Sequence, residues 1–383
     1  MIDNGAGTAD REDSSGYVRH DLQRSSRDLE LVRRGLQAAL AGHVTDATDH
    51  FVGELAGTSA TGMSSETLLF EASWTGPSGP RSQRLVARVA PSPADVPVFP
   101  AYDLPGQFLT ISTVARLSDV PVPPPWWCEA DPSVIGSPFF VMGQVDGQVP
   151  PDVMPYNFGE SWLFHAAPED QRRVQESSVD VLVRLHDIAE PERHFAHVAG
   201  AHPGSSALRR HMARTVEWYE FAARDCGRSQ LLEKGLAWLE ERWPAHESRA
   251  VFCWGDSRIG NIMYRDFEPA AVLDWEMAGL APPETDVAWM IYLHQMFEDM
   301  AAQYGFPGMA HFLRRDDVAA YYERRSGRTL CDLDWYIVYA AVQFGIVGLR
   351  TGQRSVRFGE RDVPADPDEL IMNAPTLSAM IGH

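Results

Sequence analysis

Two aspartates and an asparagine fall close together in an otherwise apolar stretch, VFCWGDSRIGNIMYRDFEPAAVLDWEMAG, residues 251–279. Asp256 follows an apolar run and a glycine, which places it on a turn at a strand end. Asn261 comes five residues later, just before the next apolar run, and Asp274 closes the third run, AAVLD. Three strand ends would then direct two carboxylates and a carboxamide to one place. A carboxylate held against a hydroxyl can take its proton, and a carboxylate with an amide oxygen makes a pair of hard ligands for Mg²⁺. The expected roles are Asp256 as general base, with Asn261 and Asp274 as metal ligands. Asp and Asn also favour turns for purely local reasons. The joint order of strand, Gly-Asp, Asn, strand and a strand ending in Asp-Trp-Glu is what carries the chemistry.

The basic residues narrow the chemistry further. The chain holds one lysine, Lys234, and 32 arginines. Without G-K-[ST] there is no Walker-type P-loop. A Schiff base would have to use Lys234, which sits in LLEKGLAWLEERW at an expected exposed helix position. Any phosphate gripped by a side chain is therefore expected to meet arginine. Lysine is excluded. Four cysteines, Cys128, Cys226, Cys253 and Cys331, show no C-x-x-C spacing, so neither a zinc site nor a redox motif is expected.

The elements that must position these residues follow from periodicity. After a polar arm over residues 1–26, LELVRRGLQAALAGH has helical spacing. A run of β signals comes next: FVGEL, a Gly/Ser/Thr loop, ETLLFEASW, the turn TGPSGP, and QRLVARVA. PGQFLTISTVARL reads as one short helix, and PFFVMGQVDG as a further strand running into a glycine turn. In QRLVARVA, Leu85, Ala87 and Val89 share one face while Val86, Arg88 and Ala90 share the other. From Pro150 the pattern turns helical, interrupted by short β runs around the Asp256 segment. The fold class expected is α+β: a small antiparallel sheet with a helix, then a larger, mainly helical part.

Composition sets outer bounds. The chain has 383 residues, too many for one compact core of ordinary size, so two domains or lobes sharing a cleft are expected. A net charge of −20 argues against nucleic-acid and anionic-membrane partners, which require a basic face. The longest apolar stretch, Trp335 to Leu349, is too short to span a bilayer and reads as a core helix. The first residues, MIDNGAGTADREDSS, lack the apolar core of a signal peptide, so a cytoplasmic location is expected.

The segment WGDSRIGNIMY…AVLDWE resembles the catalytic segment of the aminoglycoside phosphotransferase and choline kinase-like family, which has a protein-kinase-like two-lobed fold. In detail it is similar to the branch that includes kinase-like domains joined to acyl-CoA dehydrogenases. The match runs over roughly residues 30–355. It implies an ATP- and Mg²⁺-dependent transfer of phosphoryl to a hydroxyl of a small molecule, with Asp256 as base and Asn261 and Asp274 on the metal. It also implies a nucleotide-binding lobe over 27–145 and a catalytic, substrate-binding lobe over 146–383. The loop containing Gly57, Thr58, Ser59, Thr61 and Ser64 would cover the phosphates, and backbone around Met142 and Gln144 would meet the adenine. Asp286 would brace the catalytic loop.

Three departures stand out. Trp254 replaces the catalytic-loop histidine, Arg88 stands where a small-lobe lysine is expected, and Gln107 stands nearest the glutamate that pairs with that lysine. An Arg88–Gln107 hydrogen bond is the expected substitute. These changes keep a second possibility open, a nucleotide-binding pseudokinase with a regulatory role. A hydrolase with an aspartyl nucleophile is disfavoured because neither Asp256 nor Asp274 lies in D-x-D. The aromatic segment 156–170, with Trp162, Phe164 and Trp254, suggests an acceptor with apolar or ring character.

Overall fold

The computed structural model describes residues 27–57, 65–91, 96–152, 155–200 and 202–382. The arm expected over residues 1–26 and loop residues Thr58, Ser59, Thr61 and Ser64 lie outside the described residues. Helix α1 (Leu29–His43) starts at Asp28, whose carboxylate accepts the N–H groups of Glu30 and Leu31. Strands β1 (Thr48–Val52), β2 (Ala56–Gly57), β3 (Glu66–Gly76), β4 (Gly79–Val89), β5 (Pro125–Glu129) and β6 (Phe139–Gly143) form one antiparallel sheet. Its order is β1-β3-β4-β6-β5, with β2 also paired to β3. The β3–β4 hairpin closes at Gly76 opposite Gly79, where the turn TGPSGP was expected.

Strand β4 sorts its side chains between two cores. Leu85, Ala87 and Val89 join Val32, Leu36 and Leu40 of α1 in a cluster on the outer face. Val86 and Ala90 face the other way, into the large core shared with the helical part. The alternation read from QRLVARVA therefore holds, and Arg88 belongs to the inner face. Helix α2 (Leu104–Leu117), capped by Asp103, packs on this inner side through Ile111 and Val114.

The rest of the chain is mostly helical: α3 (Pro168–His186), α4 (Pro191–His194), α5 (Ala207–Cys226), α6 (Gln230–Glu241), α7 (Glu284–Gln303), α8 (Arg315–Ser326), α9 (Leu333–Arg357) and α10 (Ala374–Ile381). Two short strand pairs interrupt it, β7 (Val251–Cys253) with β10 (Gly279–Ala281) and β8 (Ile262–Arg265) with β9 (Glu268–Val272). The apolar stretch from Trp335 lies in α9, buried along most of its length. Among the described residues no helix is long and apolar enough to cross a membrane.

Helix α2 is tied to the helical part along its length. Ahead of it, the Trp218 indole donates to the Val98 carbonyl at 2.9 Å, and the buried Arg350 guanidinium donates to the Pro97 carbonyl at 2.6 and 3.0 Å. At its middle, Thr110 Oγ1 lies 2.8 Å from His197 Nε2. Beyond its end, the Val272 N–H donates to the Pro121 carbonyl at 2.8 Å.

Candidate active site

The loop after β7 is shaped by backbone need and then braced. Gly255 has φ 90°, and a Cβ there would overlap the Met277 carbonyl, so glycine before Asp256 is obligatory. Asp286, fully buried in the first turn of α7, accepts the Trp254 N–H at 2.7 Å and the Gly255 N–H at 2.8 Å. His186 Nε2 lies 3.1 Å from the same carboxylate, and the Ser257 hydroxyl donates to the Asp286 carbonyl at 2.7 Å. Asp286 braces the loop as expected and is no simple cap, since Pro283 occupies the cap position of α7. His186, buried on α3, serves this brace.

Trp254 is wholly buried, and its indole donates to the carbonyls of Leu273 at 2.8 Å and Asp274 at 3.1 Å. The ring thus fastens the Asp256 loop to the Asp274 turn, where Asp274 holds an uncommon φ of 55°. A second tie runs from the Leu273 N–H to the Asn261 carbonyl at 2.8 Å.

The three expected residues do converge. Asn261 Nδ2 donates to Asp256 Oδ2 at 2.7 Å and to the Asp256 carbonyl at 3.2 Å. With its donor end so committed, the amide oxygen is the end left for a cation. Asp256, with a side chain 15 % exposed, also accepts the Trp289 indole N–H at 2.8 Å and the Arg258 Nε–H at 3.1 and 3.3 Å. Burial pushes the Asp256 carboxyl above its usual range; Arg258 pulls the other way, and Asp274 adds to the upward push.

Arg88 is 8 % exposed, on the inner face of the sheet. It donates to Thr67 Oγ1 at 2.9 Å and forms an ion pair with Asp274. The expected Arg88–Gln107 hydrogen bond is replaced by this pair, because a carboxylate is a stronger partner for guanidinium than a neutral amide. Arg88 and Asp274, expected on the phosphates and on the metal respectively, are thus paired with each other.

Gly57 lies on β2 opposite Leu68, at the mouth of the loop expected over the phosphates. At the end of β6, where the chain leaves the sheet for the helical part (the hinge), Met142 pairs with Val86 and Pro125 inside the sheet. The Gly143 N–H donates to Pro124 at 2.8 Å and the Gln144 N–H to Arg84 at 3.0 Å. The hinge donors at 143 and 144 are therefore committed to the sheet.

Three participants escaped the sequence reading. Trp289 lies three residues after Asp286 on α7, so helical spacing alone could have pointed it at the same loop. Arg258 sits inside D-S-R-I-G-N but matches no expected role. Asp152, paired with Arg258 through space, has no local signal. In the aromatic segment, Tyr156 packs on His294, Phe297 and Phe312, and Trp162 on Tyr264 and Phe267. Trp254 and Tyr156 are buried in the core, whereas Trp162 and Phe164 are half-buried against it.

Asp152, Asp256 and Asp274 against Arg88 and Arg258 leave the cluster formally one negative charge in excess. Oxygen donors with excess negative charge suit a hard divalent cation, so the residues present fit Mg²⁺.

Residues 72–322 match the family model described as the phosphotransferase enzyme family. Human acyl-CoA dehydrogenase family member 11 is 24% identical over 237 residues, 61% of this chain and 29% of that protein. A probable acyl-CoA dehydrogenase of Arabidopsis thaliana is 24% identical over 311 residues, 76% of this chain and 35% of that protein. The chain spans about a third of the length of these curated relatives. Among solved structures, a candidate aminoglycoside phosphotransferase of Ralstonia eutropha superposes with a TM-score of 0.63 at 20% identity, covering 91% of this chain and 96% of that one. A thermostable mutant of aminoglycoside phosphotransferase APH(4)-Ia, in ternary complex with AMP-PNP and hygromycin B, gives 0.52 at 14% identity, covering 91% and 98%. At such identities the likeness is one of fold.

Proposed function

The chain belongs to the phosphotransferase enzyme family, and we propose that it transfers the γ-phosphoryl group of ATP to a hydroxyl of a small molecule, with Asp256 as base. The single observation that carries this reading is that the Asp256–Asn261 and Arg88–Asp274 pairs adjoin, joined by the Leu273 N–H to Asn261 carbonyl bond and by the charge of Asp274 acting on Asp256. Residues 27–145 would hold the nucleotide and 146–383 the acceptor. Asp256 takes the hydroxyl proton as that oxygen bonds to the γ-phosphorus and the bond to the β-phosphate oxygen breaks, releasing ADP. Asn261, through its amide oxygen, and Asp274 would hold Mg²⁺, which supplies charge neutralisation on the phosphate oxygens. Arg88 would grip the phosphates, helped by the loop that begins at Gly57.

The test is a panel of aminoglycosides, acyl-CoA thioesters and hydroxylated metabolites with Mg-ATP, read as ADP release and product mass. A product of phosphoryl mass that disappears in Asp256→Asn supports transfer. The Arg88–Asp274 pair favours one competing reading, a regulatory nucleotide-binding protein, since it closes the phosphate site on itself. Tight Mg-ATP binding with no product from any acceptor would decide for that reading.

A further inference from the structure

Beside the base lies an ion pair with no role in the account above. Arg258 donates through Nε to both oxygens of Asp256, at 3.1 and 3.3 Å, while its Nη1 pairs with Asp152. The two side chains are only 21 % and 20 % exposed. Asp152 Oδ2 takes Arg258, and its Oδ1 is buried without a hydrogen-bond partner, so Arg258 is the cation that balances this carboxylate. The loop makes room for the pair: a Cβ on Gly260 would overlap Asp152 Oδ1 and press on Arg258 Nη1. Gly260 needs no positive φ, so its small size is explained by the pair lying across it.

Resting on the proposed transfer reaction, we infer that Arg258, fastened by Asp152, is a positioning residue that aims the Asp256 carboxylate. The other two donors to Asp256, Asn261 and Trp289, are neutral, and each holds one oxygen. Arg258 spans both oxygens and so fixes the rotation of the carboxylate plane. Asp152 belongs to the segment that leaves the hinge, which the Gln148–Tyr264 bridge also laces to β8. The direction in which the base points is thereby set by the segment joining the two lobes. Near-attack geometry is sensitive to displacements of about 1 Å, which can cost roughly a hundredfold in rate.

The experiment measures kcat and KM for ATP with Mg²⁺, using the panel acceptor that yields product, or water as acceptor through ADP release. Arg258→Ala should lower kcat roughly ten- to hundredfold with KM for ATP within about twofold. Gly260→Ala, which removes no charge, should show the same signature. Because Arg258→Ala strands a buried carboxylate and could fail to fold, Asp152→Ala/Arg258→Ala is made as well. It should lose no more kcat than Arg258→Ala, since residues acting as one unit are not additive. Added guanidinium ion should restore part of the rate to Arg258→Ala.

Unchanged kcat in the Arg258 and Gly260 variants overturns the inference while leaving the transfer reaction standing. Independent, multiplying losses from Asp152 and Arg258 overturn it too, as does a loss confined to KM for ATP. Absence of turnover in the wild-type protein fails the proposed function itself, and the inference with it.

Discussion

Asp256 is held by three donors from different places, yet in the proposed reaction it would accept a proton from a fourth group. The balance is kept by burial, which raises its proton affinity against the pull of Arg258. Asp256→Asn keeps the shape and removes the base, so turnover should fall by orders of magnitude while Mg-ATP affinity survives. Paired nucleotide titrations and steady-state rates check this, and an equal loss of ATP affinity would remove Asp256 from that role. Arg88→Ala should raise KM for ATP, because the cation meant for the phosphates is gone, while Arg88→Lys keeps part of the effect. An unchanged KM in Arg88→Ala would leave the phosphates to the Gly57 loop and the metal. At this scale the sequence was most informative where chemistry and local backbone coincide, as at Gly255-Asp256. It was silent on Asp152, whose meaning lies in a partner more than a hundred residues away.

The loop that carries Asp256 is short and irregular, so its shape depends on the elements behind it. Helix α7 supplies Asp286 and, one turn on, Trp289; helix α3 supplies His186; Trp254 ties the loop to the Asp274 turn. Asp286→Ala would leave two buried N–H groups and His186 without their acceptor. It should cost about 2–5 kcal/mol in a urea unfolding titration and abolish transfer. A variant that stays as stable as wild type would show that the loop holds itself. Strands and helices were legible because apolar period and turn residues agree along most of the chain. The segment 156–170 is harder to read, because aromatic residues look alike in sequence whether they line a pocket or fill a core.

Across the whole molecule, buried neutral histidines set an acid limit. His294, 4 % exposed, is pushed down to about 4 by burial, and burial also drives His211 well below its usual range. The unfolded chain takes up these protons as pH falls through about 6.5, whereas the fold resists until about 4 for His294. Their stability contribution is therefore full above pH 6.5 and is lost as pH falls through that window, by roughly 1.4 kcal/mol per pH unit for each such proton. Asp256 opposes with one proton, since its folded form protonates early. Thermal melts from pH 7 to 4 should fall, and His294→Gln should flatten the fall. A pH-independent melting point in the wild type would contradict these buried neutral rings.

Helix α2 follows β4 in the chain and packs on β5 and β6, yet its tethers at Pro97–Val98, Thr110 and Pro121 all end on the helical part. Mechanically it is stator rather than rotor. A slide of the sheet across this helix would leave all of those tethers in place. A device that works by swinging this helix would first have to draw the Arg350 guanidinium from its buried seat.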